Sequence, residues 1–188
     1  MAEGAAAEGD LPLVVIVGGA PGTGKTTLAL PLANALELPL LSKDLIKESL
    51  MDAFGVADIA MSQRIGGAGW KLLYLIAAWL LDARVGFVTE GNFETGAAEP
   101  LRRIAHHSRA VQISCQCSDS LSQERYERRA TAADRHPGHM DIARIRRGRR
   151  RTSDFGPLDL GIPMLVVDTT DGYHPAFTDI LAFARRDS

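Results

Sequence analysis

Gly19-Ala20-Pro21-Gly22-Thr23-Gly24-Lys25-Thr26 decides the fold. The octapeptide has the spacing G-x-x-x-x-G-K-[ST], in which glycines turn backbone N–H groups inward around phosphate oxygens at the start of a helix. In such a cradle Lys25 reaches the β- and γ-phosphates, the Thr26 hydroxyl takes a place on Mg²⁺, and Thr27 stands near the α-phosphate. The flanks agree. Leu13 to Val17 is a continuous apolar run of the kind that makes a buried parallel strand, and Lys25 to Leu36 reads as a helix broken at Pro31. A dinucleotide-binding turn is disfavoured, because Thr27 stands where the third glycine of G-x-G-x-x-G belongs.

Outward from the cradle, strands and helices alternate. Further strands are predicted at Leu38–Leu41, Val85–Thr89, Ala110–Cys115 and Met164–Val167. Helices are predicted at Asp44–Phe54, Trp70–Ala83, Ala97–His106, Leu121–Ala133 and Pro175–Arg185, with a short basic helix after the breaker His136-Pro137-Gly138-His139. This order implies an α/β fold: a five-stranded parallel sheet flanked by helices. Residues 1–10 are Ala, Gly and acid and read as a disordered tail; residues 11–188 read as a single domain.

The bulk composition excludes more than it selects. A net charge of -2 gives no overall pull toward nucleic acid or membrane. The apolar stretch Leu72–Leu81 is too short for a bilayer, which needs about 20 residues. Cys115 and Cys117 form neither a zinc pattern nor a disulfide framework; on a strand they would share a face. A cytoplasmic protein, monomeric or homodimeric, is expected. Charge is uneven, however: from Arg125 to Arg151 there are ten arginines and three acids, so anion recognition is expected there.

Among P-loop proteins the remaining motifs favour a kinase. Asp52-Ala53-Phe54-Gly55 has the D-x-x-G spacing of a GTPase switch but lies at the end of a helix, and no N-K-x-D occurs. Motor-like ATPases carry a strand ending in Asp-Glu, whereas the third strand here runs into Glu90-Gly91-Asn92. Asp44 follows the second strand, where strand ends gather beside the cradle, and can hold or deprotonate an acceptor hydroxyl; it could equally cap the following helix. Trp70, read as lying at the start of its helix, is the aromatic residue best placed to face the acceptor. His136 in the breaker could cap the acceptor or shape the turn.

The cradle, Ser42-Lys43-Asp44, Glu90-Gly91-Asn92 and Arg125-Tyr126-Glu127-Arg128-Arg129 together resemble the small P-loop kinases related to chloramphenicol phosphotransferase, zeta-type toxins and polynucleotide kinase. The resemblance spans Leu13 to Val167. It implies a nucleoside-monophosphate-kinase-like core, ATP and Mg²⁺ as donor, and Asp44 as base or hydroxyl anchor. It also implies a lid over roughly residues 121–151 whose Arg125, Arg128, Arg129 and Arg135 clamp phosphates. Glu90 replaces the aspartate of many relatives and resembles the Glu-Gly step of the zeta-type toxins, serving either Mg²⁺ or the acceptor. The activity implied is transfer of the γ-phosphate of ATP to a hydroxyl of a small molecule, of antibiotic or nucleoside type. A polynucleotide or nucleotide-sugar kinase and a nucleotide-dependent switch are the alternatives.

Overall fold

Along β1 (Leu13–Gly18) every residue from Val14 to Val17 is buried, and alternation sends the odd and even members to opposite faces of the sheet. In the computed structural model, which describes residues 11–146, 148 and 155–186, β1 is the central strand. The strands β2 (Leu40–Ser42), β3 (Phe87–Glu90), β4 (Arg109–Gln116) and β5 (Met164–Asp168) complete a sheet of order β2-β3-β1-β4-β5. All pairings are parallel, with Val15 opposite Val88 and Val111. Val15 and Val17 pack with Leu28 and Leu32 of α1 (Lys25–Leu36) and Ile180 of α7 (Phe177–Arg185). Val14 and Ile16 pack on the other face with Ala77 of α3 (Ile59–Asp82) and Leu101 of α4 (Ala98–His106). Each fully buried aliphatic side chain contributes about 1.5–3 kcal/mol, so both layers hold the sheet.

Several boundaries differ from the sequence expectation. α1 runs unbroken through Pro31, whose exposed ring costs only the hydrogen bond to a carbonyl on the solvent side. α3 begins at Ile59, eleven residues before the expected start at Trp70. The Asp58 carboxylate caps it by accepting the Met61 N–H at 2.7 Å, and the helix continues through Gly66, Gly67 and Gly69, whose poor propensity masked it. Trp70 is therefore in mid-helix. At 24 residues α3 is long and apolar enough to cross a membrane by length and composition. It packs along α2 (Lys43–Phe54), however, burying Leu73 and Ala77, and serves here as a layer of the domain. Cys115 is buried in β4, but Cys117 lies past the strand end, so the two do not share a strand face. The basic segment becomes α5 (Asp119–Ala130) and α6 (Asp141–Arg146). The tail expected over residues 1–10 and the lid residues Arg147 and Arg149–Arg151 lie outside the described residues.

Candidate active site

At the carboxyl end of β1 the chain turns through the cradle into α1. Gly22 has φ 86°, and a Cβ there would run into the Ser122 carbonyl of α5, so no other residue fits. Gly24 opens α1 in the left-handed conformation. The Thr23 hydroxyl donates to the Ala20 carbonyl at 2.8 Å, and the Lys25 ammonium donates to the same oxygen at 2.7 Å. Among the described residues no acceptor takes the N–H groups of Gly22, Gly24, Lys25 and Thr26, the arrangement an anion requires. Burial pushes the Lys25 ammonium down to about 8, helped by Arg129 and opposed by Glu90, Cys115 and Asp44. These residues fit a polyphosphate.

The ends of β2 and β3 face the same turn. The buried Glu90 carboxylate accepts the Ser42 hydroxyl through one oxygen and the Thr26 hydroxyl, at 3.3 Å, through the other. A hydroxyl and a carboxylate side by side are hard oxygen donors suited to Mg²⁺, which uses few protein ligands when phosphates supply the rest. No cluster of three or more His, Cys, Asp or Glu suited to a metal ion occurs among the described residues. Thr27 is exposed on the first turn of α1.

Beside the cradle lies a cavity of about 530 Å³, touching it at Pro21 and walled by α2, α3 and the α5–α6 segment. Asp44 lines it. Ser42, not Asp44, caps α2, accepting the Leu45 N–H, so the Asp44 carboxylate is not spent on the helix end. Its partners are Lys43 at 3.2 Å and Arg135 at 3.9 Å. Burial alone would raise its pKa, but Lys43, His139 and Arg135 outweigh that and hold it well below the usual carboxylate range. Trp70 also lines the cavity, packed on Tyr74 and Phe93 with the Lys43 ammonium 5.8 Å from its ring centre. Its ring fills the space above Gly91, where a Cβ would come within 2.6 Å of it.

The arginines divide. Arg129 reaches the cavity with its Nε buried and unpartnered among the described residues and its guanidinium 5.6 Å from the Tyr126 ring centre. Arg125 turns toward the strand β5 exit, donating to the Thr169 carbonyl at 2.8 Å and the Thr170 carbonyl at 3.2 Å. Arg128 is exposed and pairs loosely with Glu124 at 3.7 Å. Arg135 lines the cavity, paired with Asp141 at 2.6 Å and Glu48 at 3.5 Å. His136 stays outside, bonded to Asp52 at 3.0 Å and to the Gly138 N–H. It is His139 that enters the cavity wall, its Nε2 2.6 Å from Glu48 and its pKa lowered by burial. Lys47, Ser62 and Arg144 also line the cavity and escaped the sequence reading, and Tyr126 and Asp141 line it beside them. Ser122, Tyr126 and Arg129 fall on one stripe of α5, with Ser122 and Tyr126 buried.

Residues 14–154 match the model of a family described as an AAA domain. No protein of curated function matches the chain. A candidate kinase from Chloroflexus aurantiacus J-10-fl is 34% identical, with a TM-score of 0.81 over 95% of this chain and 99% of its own. Two more distant structures share the fold. The APS kinase of Mycobacterium tuberculosis, solved with AMPPNP and APS, has 15% identity and a TM-score of 0.60 over 94% of this chain and 99% of its own. A toxin–antitoxin system of Streptococcus pneumoniae has 12% identity and a TM-score of 0.55 over 87% of this chain and 70% of its own. With a family model spanning residues 14–154 and a relative 34% identical along nearly the whole chain, the protein belongs to the AAA-domain family, as one of its small kinase-like P-loop members.

Proposed function

We propose that the protein is an ATP-dependent phosphotransferase that moves the γ-phosphate onto a hydroxyl of a small molecule. The observation that carries this reading is the cavity of about 530 Å³ that meets the cradle at Pro21, with Asp44 and Arg129 on its walls. Its size is that of a small-ligand site, roughly 300–1,000 Å³, which favours a metabolite over a polynucleotide end. The cradle N–H groups and Lys25 hold the donor phosphates; Thr26 and Glu90 would hold Mg²⁺, which when bound would neutralise charge on the phosphates. Asp44 accepts the hydrogen of the acceptor hydroxyl and fixes its line of approach. Arg129, whose Nε has no hydrogen-bond partner among the described residues and which is close enough to Lys25 to depress its pKa, offers its donors where the transferred group gains charge. Lys43 and Trp70 close the side wall and exclude water from the reacting atoms.

The test is ADP formation with and without a panel of alcohols, in the presence of Mg²⁺. Acceptor-independent turnover at the same rate for every alcohol overturns the reading.

Arg129→Ala is expected to lower kcat by about 10²–10³, the loss typical of one preorganised donor. Arg128→Ala, whose side chain is 72% exposed, is expected to stay within two-fold of wild type (~0.4 kcal/mol or less). Equal losses in the two variants would show that charge on α5, rather than one directed guanidinium, matters.

The segment from Leu121 to Arg146 acts as the lid in this reading. Its resistance to proteolysis is expected to rise when ATP, Mg²⁺ and acceptor are present together, since closure needs both sides of the site filled. Protection that is the same with and without ligands would mark it as a fixed wall.

A further inference from the structure

Phosphoryl transfer leaves Lys47, Ser62 and Arg144 at the far side of the cavity without a task. Lys47 is 4% exposed and donates to the Ser62 hydroxyl oxygen at 3.0 Å. Arg144 donates to the same oxygen at 3.3 Å through Nη2 and to the His139 carbonyl at 2.9 Å through Nε. Ser62 is completely buried. Among the described residues no carboxylate lies within 4.0 Å of either cation, because Asp44 and Asp141 are taken by Lys43 and Arg135. A serine oxygen has two lone pairs, and two cationic donors occupy them, so its own O–H is left to be donated. An ammonium, a guanidinium and a hydroxyl thus converge with no anion between them among the described residues.

Two like charges around one neutral oxygen in a buried wall are unfavourable unless an anion completes the set. We infer that the acceptor carries an oxyanion, a carboxylate or a phosphate monoester, which seats on Lys47, Ser62 and Arg144 while its hydroxyl lies at Asp44. The substrate class is an anionic alcohol. Gly66 and Gly67 line the same wall and leave room for the group. Burial lowers the Lys47 ammonium to about 8, with Lys43 and Arg144 pushing the same way against Asp44 and Asp141; a bound anion would reverse this.

The inference rests on the kinase reading for the acceptor's hydroxyl, but the anion seat can be tested apart from it. In the transfer arm, paired alcohols are compared: glucose with gluconate for a carboxylate, glycerol with glycerol 3-phosphate for a phosphate ester. Wild-type protein is expected to prefer at least one anionic member in kcat/KM by about tenfold or more, and Lys47→Met and Arg144→Met are expected to remove that preference mainly through KM. In the binding arm, protein saturated with a non-hydrolysable ATP analogue and Mg²⁺ is titrated with gluconate, glycerol 3-phosphate or inorganic phosphate, by calorimetry and tryptophan fluorescence. Binding that is present in wild type and weakened about tenfold in both variants supports the seat, even if no alcohol is phosphorylated and the kinase reading falls. Circular dichroism confirms that each variant is folded. The seat is overturned if wild type binds none of the three at about 10 mM, or if folded Lys47→Met and Arg144→Met bind them as wild type does.

Discussion

Asp44→Asn is expected to lower acceptor phosphorylation by about 10² while ATP affinity stays within a few-fold. General-base losses span about 10²–10⁴, and the lower end applies because this carboxylate is held well below the usual range and is a weak base. Its value lies in its negative charge and its aim. A loose phosphoryl-transfer transition state asks mainly for positioning, with proton removal coming late, so a weak base suffices. Asparagine keeps the shape and one acceptor oxygen but loses the charge. The cap of α2 survives, since Ser42 supplies it. Stability is expected to fall by only about 1–2 kcal/mol, because the side chain is 29% exposed and Arg135 keeps Asp141 and Glu48. A depressed folded pKa means that Asp44 adds stability above its unfolded value, about 3.9, and that this is lost as pH falls through the folded pKa. No rise in kcat from Asp44 is therefore expected between pH 5 and 8. Steady-state kinetics and thermal melts on one preparation decide it: full-speed transfer by folded Asp44→Asn places the acceptor hydroxyl elsewhere.

The sheet and the cradle were legible because their signals are local. Val14 to Val17 are apolar without interruption, and a glycine-rich turn leading to Lys25 and Thr26 has few physical uses. The order β2-β3-β1-β4-β5 was not legible; it brings Ser42 and Glu90 together across 48 residues, and nothing near either one announces the other. The start of α3 was hidden because three glycines weigh against a helix, whereas the Asp58 cap and the contact with α2 outweigh them. The far wall was hidden for another reason. Lys47 sits one turn from Lys43 on a helix whose sequence looks solvated, and only the packing of α3 and α6 buries it. Arg125, Arg128 and Arg129 looked equivalent as a composition. Helical geometry sends them in three directions, and only Arg129 meets the cavity. His136 and His139 sit on either side of one Pro-Gly turn, where a sequence carries no sign of which ring faces inward.

Lys25→Met is expected to produce a protein at least as stable as wild type without ligand, yet with kcat/KM for ATP-dependent transfer reduced by about 10²–10³. The two halves have one cause. Without phosphates, the Lys25 ammonium is buried, has only the Ala20 carbonyl as hydrogen-bond partner among the described residues, and is pushed down to about 8. An unfolded lysine keeps its proton to about 10.5, so the folded state is penalised below pH 8 and the penalty disappears as pH rises from about 8 to 10.5. Methionine fills similar space without the charge and removes that penalty. Bound phosphates reverse the balance by supplying the missing anion and raising the lysine pKa. Wild-type ATP affinity is thus expected to be insensitive to this group below pH 8 and to weaken above it, with proton uptake on binding visible by calorimetry in two buffers of different ionisation enthalpy. In Lys25→Met both the proton uptake and most of the ATP-induced rise in Tm should vanish. A variant that keeps more than about a tenth of wild-type turnover, or whose ATP-induced Tm rise matches wild type, would show that the donor phosphates do not rest on Lys25.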